Sequence, residues 1–216
     1  MATGVALDFG MEAPAYWADA CRHLMKRDRV MKKLIPQHAG VCLQSRGDAF
    51  VTLARSIVGQ QISVKAAQSV WDRFAALPHQ MAPAQVLKLK VDDMRAAGLS
   101  ARKVEYLVDL ALNFANNQVH VGAWSEMDDE TIITELVAIR GIGRWTAEMF
   151  LLFHLLRPNV LPLDDVGLQN GISQRYFSGE PVSRSEIREL AAPWAPFCSV
   201  ATWYIWRSLD PAPVSY

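Results

Sequence analysis

Cysteine is scarce in this chain of 216 residues: Cys21, Cys42 and Cys198 are the whole set. An odd count, spread far apart, excludes a disulfide-stapled scaffold, and four thiolates for an iron–sulfur cluster cannot be assembled. Charge of either sign is not in excess, with 22 basic and 22 acidic side chains. That argues against a strongly cationic nucleic-acid binder, although a locally basic groove is compatible with it. No apolar run is long enough to span a bilayer; the most apolar stretch, Met149 to Leu156, is short and contains His154. A basic start followed by an apolar stretch is missing, so no signal peptide is read. The expectation is a reduced, soluble, intracellular protein without membrane partners. Histidine is sparse and scattered, and no pair has metal-ligand spacing, so no catalytic metal is expected. Two-residue alternation bounded by hairpin turns is absent too, which leaves few or no strands.

What is present is apolar periodicity of the helical kind, in a chain that is 51% hydrophobic. Pro14 can open a helix whose face carries Tyr16, Ala20, Leu24 and Met31, ended by Pro36. Arg22, Lys26, Arg29 and Lys33 form a stripe on it, either a solvated face or a track for phosphates. Asp48, Ser63 and Ser100 can cap further helices, and Pro83 and Asp92 can start two short ones. Asp128 and Asp129 precede another. The run Arg144 to Leu156 reads as a central helix, and Ser183 with Glu186 has capping-box spacing. A last helix includes Val200, Trp203, Tyr204 and Ile205. The spacing predicts an all-α fold, residues 1–216 forming a single unit of two packed lobes.

The most informative stretch is Leu136 to Phe150, residues 136–150, where one helix runs into Gly141-Ile142-Gly143 and another leaves at once. Both glycines can adopt positive φ, and they keep side chains away from a large partner. Amides opening the second helix favour an anion, with Arg140 and Arg144 beside them. Gly141, Ile142, Gly143, Arg144 and Thr146 therefore form a candidate set for gripping a DNA phosphate without reading bases. An ordinary glycine-capped turn is the alternative. Further on, Leu161-Pro162-Leu163-Asp164-Asp165 delivers two carboxylates to a helix start. Asp164 is expected to cap, leaving Asp165 to project into a cleft.

In this order the segments resemble the helix–hairpin–helix DNA glycosylase superfamily. Ile57-Val58-Gly59-Gln60-Gln61-Ile62-Ser63, Gly98-Leu99-Ser100-Ala101-Arg102-Lys103 and Trp194-Ala195-Pro196-Phe197 are similar to its alkylpurine branch, the DNA-3-methyladenine glycosylase II type. The resemblance covers about Phe50 to Trp206. It implies two helical lobes flanking a cleft, without the extra N-terminal β domain of some members. It makes Asp165 the catalytic aspartate and Gln61 the wedge that enters the duplex. It puts Trp145 where bifunctional relatives carry a nucleophilic lysine, so base release without strand cleavage is expected. Cys198 stands where the family often has a basic residue, and the hairpin carbonyls are a site for a monovalent cation; no other cofactor is implied.

The implied activity is hydrolysis of the N-glycosidic bond of alkylated purines in double-stranded DNA, by a monomer. It would act in the cytoplasm or nucleoid of a bacterium, or in a nucleus. A cationic base stacks well on aromatic faces, which nominates Trp145 and Trp194, with Met149 beside them and Tyr16 and Trp17 as further candidates. Core packing is the competing role for each tryptophan, and the expected one for Trp71, Trp203 and Trp206. Two other functions stay open: a non-catalytic DNA-binding module, and a glycosylase for oxidised or mismatched bases.

Overall fold

The computed structural model describes residues 13–45 and 47–209. Among them the regular elements are all helical: α1 (Trp17–Arg27), α2 (Arg29–Leu34), α3 (Ala49–Gly59), α4 (Val64–Ala75), α5 (Pro83–Val86) and α6 (Val91–Ala96), then α7 (Ala101–Ala115), α8 (Asp129–Val137), α9 (Arg144–Phe153), α10 (Val166–Tyr176), α11 (Arg184–Ala191) and α12 (Cys198–Leu209), with short 3-10 turns at Ile35–His38, Val121–Glu126 and Ala192–Trp194. None of these helices is long and apolar enough to cross a membrane. The chain divides into two compact units, Met1–Ser45 with Leu151–Tyr216, and Arg46–Phe150.

In the Arg46–Phe150 unit, helix starts are fixed by short polar side chains that accept first-turn amides. Asp48, Ser63, Ser100 and Asp128 receive the amides of Val51, Ala66, Lys103 and Thr131. The buried faces of α3, α4, α7 and α8 then meet: Leu53, Ile57, Phe74, Leu107, Leu110, Ile132 and Leu136 are essentially inaccessible. Each such side chain contributes about 1.5–3 kcal/mol by leaving water. Trp124 closes this core edge-on against Phe150, with ring centroids 5.4 Å apart.

The other unit is built around aromatic residues. Trp17 packs edge-on against Trp203 at 5.3 Å and tilts over Tyr204 at 5.9 Å. The single N-terminal helix expected from periodicity is two helices. Asp28 leaves the helical region (φ −133°, ψ 124°) and caps α2 through the amides of Val30 and Met31. The break interrupts the Arg22–Lys33 stripe, and Arg22 pairs with Asp19. The helix read as Arg144 to Leu156 stops at Phe153. In α11 the expected capping box forms between Ser183 and Glu186.

Candidate functional site

The turn between α8 and α9 closes through Ile142 N–H donating to the Ile139 carbonyl at 3.1 Å. Gly141 has φ +84°, and a Cβ there would lie 2.2 Å from the Tyr106 ring, so only glycine fits. Ile142 points inward and is buried, and Ala147 is fully buried, as their roles in the turn require. Gly143 departs from expectation. Its φ is not positive, and a Cβ built on it meets nothing within 4 Å. The fold does not ask for glycine at 143; its bare backbone faces open space. The first bond of α9 runs from the Ala147 amide to the Gly143 carbonyl at 3.0 Å, which puts the positive pole of the helix at this open spot.

The two arginines do not add free charge beside that pole. Arg144 is held by Glu130 at 2.5 Å and by Glu148 at 3.0 Å, and these carboxylates raise its pKa further. Arg140 sits 3.9 Å from Asp109, which also accepts the Arg140 amide at 2.9 Å. The side chain of Thr146 is buried, so a part in anion binding falls to its backbone. The Gly143 end of α9 presents helix polarity to solvent, and both neighbouring arginines already have carboxylate partners.

An open groove of about 340 Å³ adjoins the turn, lined by Gln60, Gln61, Arg102, Lys103, Tyr106 and Gly141 among others. Gln61 is exposed and has φ +60°, a left-handed conformation costing a non-glycine residue about 1–2 kcal/mol. Strain of this kind concentrates at sites of function. Gln60 donates its side-chain amide to the Gly141 carbonyl at 2.8 Å. Lys103 donates to the Val58 carbonyl at 2.8 Å, and partial burial lowers its pKa. The structure thus gathers Gln61, Gly141, Ile142 and Gly143 around one space. Gln60, Lys103 and Tyr106 were not singled out from sequence, although two lie in segments that carried the family resemblance.

Asp165 lies in the other unit. It is Asp165, not Asp164, that caps the helix: its Oδ1 accepts the Leu168 amide at 2.6 Å, while exposed Asp164 pairs with Arg184. The cause is local, since the turn closed by Asp165 N–H on the Pro162 carbonyl aims Asp165 along α10. The same Oδ1 also accepts the indole N–H of Trp206 at 2.7 Å. Trp206 in turn stacks on Phe153 at 5.7 Å. So Trp206, read from sequence as core, touches the candidate catalytic group. A methyl at Gly167 would stand 3.0 Å from that oxygen and 3.2 Å from the indole, leaving the pair no spare room. Asp165 is 5% exposed, and two donors meet on its Oδ1.

The expected aromatic pocket is only partly present. Trp194 is fully buried and donates its indole N–H to Asp28 at 2.8 Å, and Trp17 is fully buried against Trp203 and Tyr204. Both serve the core, and neither can stack on a base. Tyr16 is half-buried, bonded to the Leu156 carbonyl and stacked on Phe197. Trp145 is 37% exposed, whereas Met149 one turn later is buried. Cys198 is buried at the start of α12, and burial pushes its thiol up to about 11, so it supplies no charge in place of a basic side chain.

A family model described as HhH-GPD superfamily base excision DNA repair protein matches residues 54–196. DNA-3-methyladenine glycosylase 1 of Schizosaccharomyces pombe is 29% identical over 180 residues, covering 82% of this chain and 79% of that protein. A crystal structure of DNA-3-methyladenine glycosidase from Bacillus halodurans is similar with a TM-score of 0.82 at 32% identity, over 88% of this chain and 89% of that one. The 3-methyladenine DNA glycosylase of Schizosaccharomyces pombe in complex with abasic DNA gives 0.76 at 27% identity, over 92% and 100% of the two chains.

Proposed function

The chain belongs to the HhH-GPD superfamily of base excision DNA repair proteins, and we propose that its reaction is hydrolysis of the N-glycosidic bond of alkylated purines in double-stranded DNA. The observation that carries this reading is the shared groove. A strained, exposed Gln61 and a helix turn whose outer glycine has open space beside it line the same cavity. Such a pair suits a protein that opens a duplex and holds its backbone.

A base inside a duplex is out of reach, so the nucleotide turns out of the stack at a cost of about a few kcal/mol. Gln61 fills the gap and can bond to the orphaned base with its amide. The Gly143 end of α9 takes a phosphate. As the bond from C1′ to the purine nitrogen breaks, positive charge moves onto the sugar. Asp165 stabilises that charge, held in place by Leu168 and Trp206. A water oxygen then bonds to C1′ as its proton passes to the Asp165 carboxylate and on to solvent. The alkylated purine departs neutral, because it takes the bonding pair and loses its cationic charge, and so one carboxylate suffices. No amine stands at Trp145, so no Schiff base forms and the strand stays intact. The hairpin carbonyls of Ile139 and Gly141 accept from Ile142 and Gln60, and each oxygen retains a second lone pair that a monovalent cation could use. We propose a monomer acting wherever the genomic duplex resides.

Duplexes carrying 3-methyladenine, 7-methylguanine, hypoxanthine or 8-oxoguanine test this. The expected result is base release from the methylated purines, with strand breaks appearing only after alkali. Breaks without alkali would refute the monofunctional reading, and release of 8-oxoguanine alone would move the enzyme to oxidised bases.

A further inference from the structure

The short segment Val58–Gln61 leaves α3 and is pinned at two points inside its own unit. Lys103 Nζ holds the Val58 carbonyl at 2.8 Å, and Gln60 Nε2 holds the Gly141 carbonyl at 2.8 Å. Just beyond these pins stands Gln61, in a conformation a free chain would avoid (φ +60°). The Gly141 backbone packs directly on the Tyr106 ring, with no room for a Cβ.

We infer that Gln60 is a positioning residue: through the Gly141 carbonyl it couples the Gln61 wedge to the phosphate-holding turn, so that gripping the backbone and filling the vacated stack happen as one motion. The bonding of Gln60 supports a tether rather than a contact to DNA. The Gln60 side-chain amide donates to a main-chain oxygen, 81 positions away in sequence, at the rim of the groove that Gln61 also lines. A left-handed glutamine needs an outside constraint to persist, and this bond is next to it. The inference rests on the glycosylase reading, and the fluorescence arm of its test needs no base release, so the two can fail separately.

The probe is a duplex with a tetrahydrofuran abasic analogue opposite 2-aminopurine, whose fluorescence reports disturbance of the orphaned base at saturating protein. Gln61→Ala defines the signal without a wedge. Gln60→Met, which keeps length and removes the donor, is expected to move the signal at least halfway to that limit. It is expected to lower single-turnover excision of 7-methylguanine about tenfold, the scale of one part-buried hydrogen bond. In a Gln61→Ala background the same change is expected to have no further effect, since it acts only through that side chain. Gln60→Glu, which turns an acceptor toward the same carbonyl, is expected to match Gln60→Met. A wild-type signal in both variants, a full additional loss in the Gln61→Ala background, or a signal unaltered by Gln61→Ala would each overturn the inference. Loss of folding in both variants would do so too, because the bond would then serve the fold alone.

Discussion

Asp28 and Asp165 are nearly the same object in two places. Both lie in the Met1–Ser45, Leu151–Tyr216 unit, both are buried, both cap a helix through Oδ1, and both accept an indole N–H. They differ in what surrounds the cap. Asp28 also accepts the Tyr176 hydroxyl, and its Oδ2 is enclosed between that phenol and the fully buried Trp194. Burial, and then the Asp28 carboxylate, push the Tyr176 phenol far up, so it stays a donor. At Asp165 the amide of Leu168 and the indole of Trp206 converge on the one oxygen, and the next residue, Val166, is 65% exposed. Exposure does not divide them: Asp165 is 5% exposed and Asp28 9%, and each has an exposed neighbour in the chain. Burial and capping alone therefore do not separate the two aspartates. These donors divide differently: at Asp28 the cap amides and the ring donors meet separate oxygens, and at Asp165 the cap amide and the indole share one.

The same substitution at the two sites sharpens this contrast most. Asparagine is as good a helix cap as aspartate and keeps an oxygen for the indole, so Asp165→Asn deletes charge with little change of shape. Excision by this variant is expected to fall by about 10²–10³, the scale of losing one preorganised electrostatic group, while Tm stays within about 2 °C of wild type. Single-turnover assays and thermal melts measure the two sides. Retained turnover would remove Asp165 from the mechanism. Asp28→Asn is expected to do the reverse. Its new NH2 group would oppose the Tyr176 hydroxyl and the Trp194 indole, at about 1–3 kcal/mol, with Tm several degrees lower and the excision rate per folded molecule unchanged. A variant with wild-type Tm would show that the Asp28 hub does not stabilise the fold.

How far these roles could be read from sequence follows from the range of the contacts. The caps at Asp48, Ser63, Ser100 and Ser183 act on amides three residues ahead, and local spacing was enough to find them. The inward Ile142 and the single turn at Gly141 were legible for the same reason. Asp28 was not, because an aspartate inside an apolar 3.6-residue pattern reads as an exposed helical position until Tyr176 and Trp194 arrive from 148 and 166 residues away. That Trp194 meets Asp28 and Trp206 meets Asp165 has the same origin. Trp194 ends a short 3-10 turn and Trp206 lies within α12, and only tertiary packing decides which indole meets which carboxylate. Asp164 and Asp165 differ by one position, and the Pro162 turn chose between them.

The two indoles extend the comparison at smaller amplitude. Trp206→Phe keeps a ring to stack on Phe153 and removes only the donor to Asp165. A hydrogen bond to a charged group is worth about 1.5–3 kcal/mol, so excision is expected to drop at least tenfold if that bond orients the carboxylate for the sugar. Trp194→Phe removes the matching donor from Asp28 and is expected to lower Tm without slowing the folded enzyme. Equal effects of the two changes on excision and Tm would erase the distinction drawn between the aspartates.

The glycines of the turn repeat the pattern in the other unit, where the expected effect is smallest. A methyl at Gly141 collides with Tyr106 and demands a left-handed alanine, so Gly141→Ala should cost folding stability, about 1–2 kcal/mol from the backbone alone. A methyl at Gly143 collides with nothing in the protein. Gly143→Ala should leave Tm unchanged or slightly raised, since alanine loses less backbone freedom on folding. It should nonetheless weaken DNA, because a methyl would stand where a phosphate must approach the α9 amides. The loss is expected to be about five- to tenfold, on the scale of one charge-assisted hydrogen bond, and uniform across sequences because backbone contacts read no bases. Fluorescence anisotropy with two unrelated undamaged duplexes at fixed salt measures it. Unchanged affinity would mean that the open face of the turn is empty by accident, and that the phosphate is held elsewhere in the groove.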